Sequence, residues 1–319
     1  MSEQRTLRKA ISISGIGLHS GKPATITLRP GLPNQGIVFF RSDLSGKVGA
    51  PNSAHSQQSM AEGIAAHFRN VVNTQLATTL GRGRITISTV EHVLAALQGM
   101  GIDNAVCEVD GPEIPILDGS SIQFCDAITQ AGIRVQDAFQ PFIRLRRKVE
   151  VKVGEKWALA EPCDRLEIHA SVEWDHPSIV YQTFHYADDE TSFAEELAAA
   201  RTFCMLKDVE TMKKMGLALG GSLENAVVLD QTSVLNPGGF RFPDEIVRHK
   251  VLDALGDLKL AGMPIQASIR LHRAGHDLHS QLLSAIFADR SNYEVIDASG
   301  AEEEAPAGLL KSLVAASAV

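Results

Sequence analysis

A chain of 319 residues, 44% of them hydrophobic, can bury a sizeable core and has room for two domains. Its formal charge of −8 argues against a general nucleic-acid binder, whose footprint is basic, so an anionic ligand would need a local cluster of Arg and Lys. No run approaches the roughly 18 apolar residues of a membrane span, and MSEQRTLRK lacks the apolar segment of a signal peptide. Four cysteines (Cys107, Cys125, Cys163, Cys204) without a C-x-x-C pair read as reduced core thiols of a cytoplasmic protein.

Along the chain, period-two alternation marks KAISISGIGLHSG, ATITLRPG, RITIS and AVCEVDG, then FIRLRRKVEVKVG, KWALAEP, RLEIHASVEW and IQASIRLH. Bounded by Gly and Pro, these read as half-buried antiparallel strands. Helical patterns fall at 89–98, 120–131, 192–200, 244–261 and 279–287. The two halves rhyme: LRKAISISG (Leu7–Gly15) echoes LRRKVEVKVG (Leu145–Gly154), and EHVLAAL at 91–97 echoes RHKVLDAL at 248–255. The pattern predicts an α+β unit duplicated into two similar domains, 1–138 and 139–297, joined near Phe139–Pro141. An insertion at about 203–230 has a strand–helix–strand look and no counterpart in the first half. A tail rich in Ala, Glu and Ser, 298–319, is expected to be loosely ordered.

The rhyme places His92 and His249 at equivalent points, where packing of the halves could bring them face to face. In STVEHVLAAL, Ser88 and Glu91 stand in the relation of a capping box, so Glu91 could simply bond back to the Ser88 amide. The alternative is a metal ligand, His92, with a general base beside it. In FPDEIVRHKVLDALGDLKLAG, His249, Asp253 and Asp257 share one narrow stripe, opposite Val247, Val251, Ala254 and Leu258. An ordinary solvated face would look the same, but Gly256 on that side costs about 1 kcal/mol in a helix and suggests that something packs closely there. His and Asp at i, i+4 can chelate a cation, and a further His completes three protein ligands with a fourth position for water, as in catalytic zinc sites. His276 lies in a Gly-containing loop before the last helix, and ARTF (Ala200–Phe203) is a further cluster. GIGLHSG is G-x-G-x-x-x-G with no helical pattern after it, which argues against a dinucleotide-binding turn.

Taken in order, GIGLHSGKP, TVEHVLAALQGMGIDNA, IPILDGSS, ARTF, LGGSLENAVVLD, VLNPGGFRFPDEIVRHKVLDALGDL and AGHDLH resemble the UDP-3-O-acyl-N-acetylglucosamine deacetylases, zinc enzymes of lipid A biosynthesis. The resemblance runs from about residue 5 to 290. It implies that His92, His249 and Asp253 bind Zn²⁺, that Glu91 is the general base, and that Asp257 orients His276, the acid. Thr202 would help hold the oxyanion, and the acylated UDP-sugar would lose its N-acetyl group. Lys250 and Arg273 are placed to meet phosphates or sugar hydroxyls. Trp174 falls where the family carries a platform for uracil, and Leu18 and His19 in GLHSG resemble another sugar-nucleotide contact. Met205, Leu206, Val209, Met212, Met215, Leu217 and Ala218 would line a passage for the 3-O-acyl chain, against the plainer reading of a satellite core under a β-hairpin, and Phe203 would be a further substrate contact. The fold the resemblance implies is α+β, two similar layered α/β-sandwich domains with the active site between them. A monomer is expected, with no nucleic acid and no membrane segment. One departure stands out: the family commonly reads GHALNN where this chain reads GHDLHS, so Asp277 and His279 bring a charge and a spare imidazole beside the acid. The rival readings are a non-catalytic zinc module, which would not need Glu91, and a metal hydrolase or lyase for another sugar nucleotide.

Overall fold

The computed structural model describes residues 2–44, 63–188 and 193–297, so the tail from 298 lies outside the described residues. The first half runs β1 (Glu3–Leu7), β2 (Ile11–Ile16), β3 (Pro23–Pro30), β4 (Ile37–Arg41), β5 (Ile64–Ala65), β6 (Val71–Asn73), β7 (Thr79–Arg82) and β8 (Ile85–Ser88), then helix α1 (Glu91–Gly99), β9 (Ala105–Val109), α2 (Ile122–Ala131) and β10 (Ile133–Phe139). The second runs β11 (Phe142–Leu145), β12 (Val149–Val153), β13 (Lys156–Glu161), β14 (Leu166–Glu173), β15 (Tyr181–Ala187), β16 (Phe203–Met205), α3 (Leu206–Lys214) and β17 (Val227–Leu229). It ends with α4 (Glu245–Leu258), β18 (Ile265–His272), α5 (His276–Ala288) and β19 (Tyr293–Ile296).

The pairings of the two halves correspond. β3 lies antiparallel to β9 on one side and β4 parallel on the other; β13 and β14 flank β18 in the same senses. β1 pairs with β10, and β11 with β19, both antiparallel. Both sheets are therefore mixed, not antiparallel as the alternation suggested. Alternation reports which face is buried, as in Leu166, Ile168, Ala170 and Val172 of β14. Strand direction is set by the connections, and each parallel pair here is bridged by a helix crossing.

The helices fill the space between the sheets. α2 lies over β2, α4 over β14 and β15, α5 over β12 and β13, and the two layers meet where α1 crosses α4. The apolar core is continuous through both halves, from Leu7 and Phe39 to Leu282 and Ile286, so neither half has a core of its own. The stripe on α4 is no solvated face: of the helix's 14 residues, only Arg248 and Lys250 escape burial. Gly256 is the reason α1 can approach, since a Cβ there would overlap the Glu91 carbonyl oxygen. The helix is followed by a tight turn, Lys259–Ala261, and stops at Gly262 in the left-handed region (φ 82°).

Several local expectations change. The 192–200 pattern is a single wide turn, Phe193–Leu197, within the described residues. His276 is the first residue of α5 and not a loop residue. The insertion keeps the expected strand–helix–strand order, with β16 and β17 paired in parallel around α3, so the plainer alternative of a hairpin does not hold. The first half has its own extra piece at the equivalent point, the three-stranded sheet β6–β7–β8. Cys107 and Cys125 are core residues, whereas Cys163 and Cys204 are only half-buried. Among the described residues no helix is long and apolar enough to cross a membrane.

Candidate active site

Glu91 and His92 open α1, and His249, Asp253 and Asp257 lie one turn apart on α4, all of them 2–4% exposed. A buried carboxylate left unpaired costs several kcal/mol, so each must be accounted for. Asp253 Oδ1 faces His249 Nε2 at 3.2 Å and His92 Nε2 at 3.6 Å, while its Oδ2 takes Lys250 Nζ at 3.0 Å. The two imidazoles meet edge to face, centroids 5.0 Å apart. Ligand atoms about 2.0–2.1 Å from a tetrahedral cation stand roughly 3.3 Å from one another. The spacing of the triad suits a shared cation, and the donor set of two imidazole nitrogens and one carboxylate oxygen suits a divalent one. His249 Nδ1 is held by the Ala200 carbonyl at 3.1 Å, which leaves Nε2 facing the triad. His92 Nδ1 is buried with no partner among the described residues. Burial alone would raise the Asp253 carboxyl, but the His249 and Lys250 charges, with hydrogen bonds from both histidines, hold it well below the usual range.

Glu91 does not close a capping box. Its Oε2 accepts the Thr78 amide at 3.0 Å, and the Ser88 amide bonds Pro112. The Thr78 hydroxyl donates to Asp257 Oδ1 at 2.6 Å, so one threonine ties Glu91 to Asp257. Burial pushes the Glu91 carboxyl up, against His276 and His92 and with Asp257 and Asp253. Asp257 Oδ2 bonds His276 Nδ1 at 2.8 Å. Burial works to lower His276, but the Asp257 charge and hydrogen bond, helped by Glu91 and Asp253, lift it to about 9. In return, and against its own burial, Asp257 is held down at about 2 by His276 and His279.

The surrounding residues divide into two groups. Phe203 stands edge-on to both Trp174 (5.3 Å) and His249 (6.4 Å), with Lys250 over its ring at 5.6 Å, so this aromatic group borders the triad directly. Leu18 and His19 are stitched to the insertion: the amides of Leu219 and Gly220 bond the carbonyls of His19 and Leu18, and the Ala218 amide bonds His19 Nδ1 at 3.3 Å. The loop itself hangs on Glu113, which accepts the His19 and Ser20 amides at 2.7 and 2.8 Å. Thr202 follows the Ala200 carbonyl and is anchored through its main chain to Gly119 and Val227. Arg273, at φ 49°, is engaged by Glu155 at 3.2 Å on the surface. Helix α3 has no buried residue at all, and Leu206 and Met215 are exposed.

The sequence reading missed Thr78, Glu113 and the buried pair of Arg201 with Glu245. Arg201 bonds Glu245 through its main-chain amide (3.0 Å), Nε (2.8 Å) and Nη2 (3.1 Å), which locks ARTF to the first turn of α4. The adjacent Arg and Glu of ARTF and FPDE were the available signal; for Thr78 there was none.

A buried glutamate beside a two-histidine, one-carboxylate triad, with an imidazole–carboxylate pair opposite, is an arrangement suited to a metal-dependent hydrolase. The family model of UDP-3-O-acyl N-acetylglycosamine deacetylase matches residues 4–288. A protein named UDP-3-O-acyl-N-acetylglucosamine deacetylase from Myxococcus xanthus is 46% identical over 301 residues, 94% of this chain and 91% of its own. Proteins of the same name from Campylobacter hominis (44%, covering 92% of this chain and 95% of its own) and Haemophilus influenzae (42%, 93% of each) agree. The chain belongs to the UDP-3-O-acyl-N-acetylglucosamine deacetylase family.

Proposed function

We propose that this chain removes the N-acetyl group of a UDP-3-O-acyl-N-acetylglucosamine, giving the free amine and acetate in lipid A biosynthesis. The observation that carries the reading is Glu91 next to His92, its carboxylate held by Thr78 beside a buried triad that fits a divalent cation. His92, His249 and Asp253 would hold Zn²⁺, which when bound supplies Lewis-acid polarisation and lowers the pKa of water from 15.7 to about 7.

The chain's own residues do the proton work. Glu91, its carboxyl raised by burial and its Oε2 held by the Thr78 amide, would take the proton from the attacking water as general base. Asp257 keeps His276 protonated, so it can deliver that proton to the glucosamine nitrogen as the C–N bond breaks. The Thr202 hydroxyl donates to the developing oxyanion, a kind of contact worth about 3 kcal/mol when lost. Trp174 and Phe203 offer the uracil a ring surface, while Lys250 and Arg273 face the diphosphate or sugar once released from Asp253 and Glu155. Leu18 and His19 form one wall. Phe203, Met205, Leu206, Val209 and Ala218 lead the acyl chain outward, and the lack of any buried residue in α3 supports an open passage over a closed satellite core. The matched pairings support two duplicated units, 1–138 and 139–297. That the chain works as a monomer in the cytoplasm is proposed on the sequence reading alone.

The test is incubation of the zinc-loaded protein with the acetylated, acylated UDP-sugar, followed by mass spectrometry. Loss of one acetyl group with release of acetate is expected, and Glu91→Gln should bind metal but release acetate far more slowly. A protein that binds zinc and substrate without turnover would instead be a binding module.

A further inference from the structure

The family resemblance leaves one buried residue of this site without a role. His279 lies three positions after His276 on the first turn of α5, so both rings point the same way toward α4. Its Nδ1 reaches Asp257 Oδ2 at 2.8 Å, the same oxygen and the same distance as His276 Nδ1. The rings stand edge to face, 6.2 Å between centroids. Oδ1 is taken by Thr78, so the carboxylate carries three donors, and both lone pairs of Oδ2 are spent on imidazoles. All of these residues are buried, which keeps water from substituting for either donor. His279 Nε2 has no partner among the described residues, so the bond to Asp257 is what holds this ring. The other departure, Asp277, is turned to the exposed side, where Gln281 bonds it at 2.8 Å.

We propose that His279 is a positioning residue for His276: by donating to the same oxygen of Asp257, it takes part of the carboxylate and limits how tightly His276 holds its proton. An acid held too tightly delivers its proton poorly, so a second donor on Oδ2 makes His276 a readier acid. The other charged or titratable groups around His276 are Asp253 and Asp257 on α4, Glu91 on α1, and His19 after β2. Removing His279 leaves these in place and returns Oδ2 to His276 alone.

The consequence for catalysis rests on His276 being the acid; the sharing of Asp257 does not. The test is therefore a nitrogen-15 NMR titration of the histidine-labelled, zinc-loaded protein, with the His276 signals identified by their loss in His276→Gln. In His279→Phe, which keeps a ring and removes the donor, the His276 midpoint should rise by about half a unit, a roughly threefold tighter proton. His279→Asn, which restores an N–H, should return it most of the way. In the unaltered protein His279 should carry its proton on Nδ1, a reading that needs no variant to fold. An unmoved His276 midpoint in His279→Phe, or an Nε2–H tautomer at His279, would overturn the proposal. The basic limb of kcat should follow the NMR midpoint; a moved midpoint with an unmoved limb leaves the sharing intact and removes His276 as the acid.

Discussion

Gly256→Ala separates what holds the fold from what holds the metal. Gly in a helix interior costs about 1 kcal/mol relative to Ala, so propensity alone says the variant should be more stable. The main chain of α1 says otherwise. The new Cβ would overlap the Glu91 carbonyl oxygen and stand 2.8 Å from its carbonyl carbon. Ordinary carbon–carbon contact begins near 3.5 Å, so the carbonyl carbon alone asks α1 and α4 to part locally by roughly 0.7 Å, and the nearer oxygen asks for more. Overpacking costs about 1–3 kcal/mol and the propensity gain offsets part of it, leaving a net loss of about 0–2 kcal/mol, or a few degrees in Tm. The proposed ligands are far less tolerant. His92 follows Glu91 on α1 while His249 and Asp253 ride on α4, and metal–ligand distances hold to within about 0.2 Å. Metal affinity should therefore fall by about 10- to 100-fold, with kcat/KM falling alongside it, in a protein that melts nearly normally. Competition against a zinc-indicating chelator measures the first and thermal melts of the apo and metal-loaded protein the second. A variant with unchanged metal affinity, or one stabilised by the full propensity gain, would refute the claim that this contact sets the ligand geometry.

Glu91→Gln should keep zinc yet lose about 10²- to 10⁴-fold in kcat, read by acetate release. The pH–rate profile should be bell-shaped, with an acidic limb above the ordinary carboxylate range because Glu91 is raised and a basic limb no higher than about 9 from His276, since a bound cation works to lower it. Stability follows the same group: a raised imidazole contributes fully below its unfolded value of 6.5 and loses that contribution as pH climbs through about 9, so the apo protein's urea midpoint should fall across that window unless His276→Gln removes the trend. Glu245→Ala leaves Arg201 buried and unpaired, which should cost about 3–5 kcal/mol in urea unfolding and loosen the Ala200 carbonyl from His249. Val209→Phe should impair long-chain substrates far more than short ones, since each buried methylene contributes about 0.8 kcal/mol. It is a cleaner probe than Ala218→Phe, because Ala218 already sits at φ 53°. Equal impairment for both chain lengths would count against the acyl passage.

What could be read from the sequence is what depends on spacing along one element. The i, i+4 stripe of His249, Asp253 and Asp257 survives into three dimensions because a helix preserves it, and the helix glycine foretold a close neighbour. The echo between EHVLAAL and RHKVLDAL foretold the crossing of α1 and α4, since equivalent pieces of matched units can meet across their shared axis. What escaped depends on partners distant in the chain. Thr78 sits in a stretch with no motif, yet its amide and hydroxyl join Glu91 to Asp257, 166 residues apart by number. Strand direction escaped for the same reason, because alternation is identical in parallel and antiparallel pairs.

The capping-box pattern failed instructively. Ser88 and Glu91 have the right separation, but the Ser88 amide is already used by Pro112, and a buried carboxylate goes where the unsatisfied donor is. Local sequence patterns assume that local groups are free to answer them; in a site assembled from two halves, they are not. The same reasoning bears on His279. As a lone imidazole after GHDL it could be read as surface decoration, and only the coincidence of two Nδ1 atoms on one Asp257 oxygen makes it a competitor of His276. Zinc ligands tolerate little change because the ion dictates their number and geometry. An acid held by a carboxylate can be adjusted by whatever else that carboxylate bonds, and in this chain the residue that does so is a second imidazole on the same oxygen.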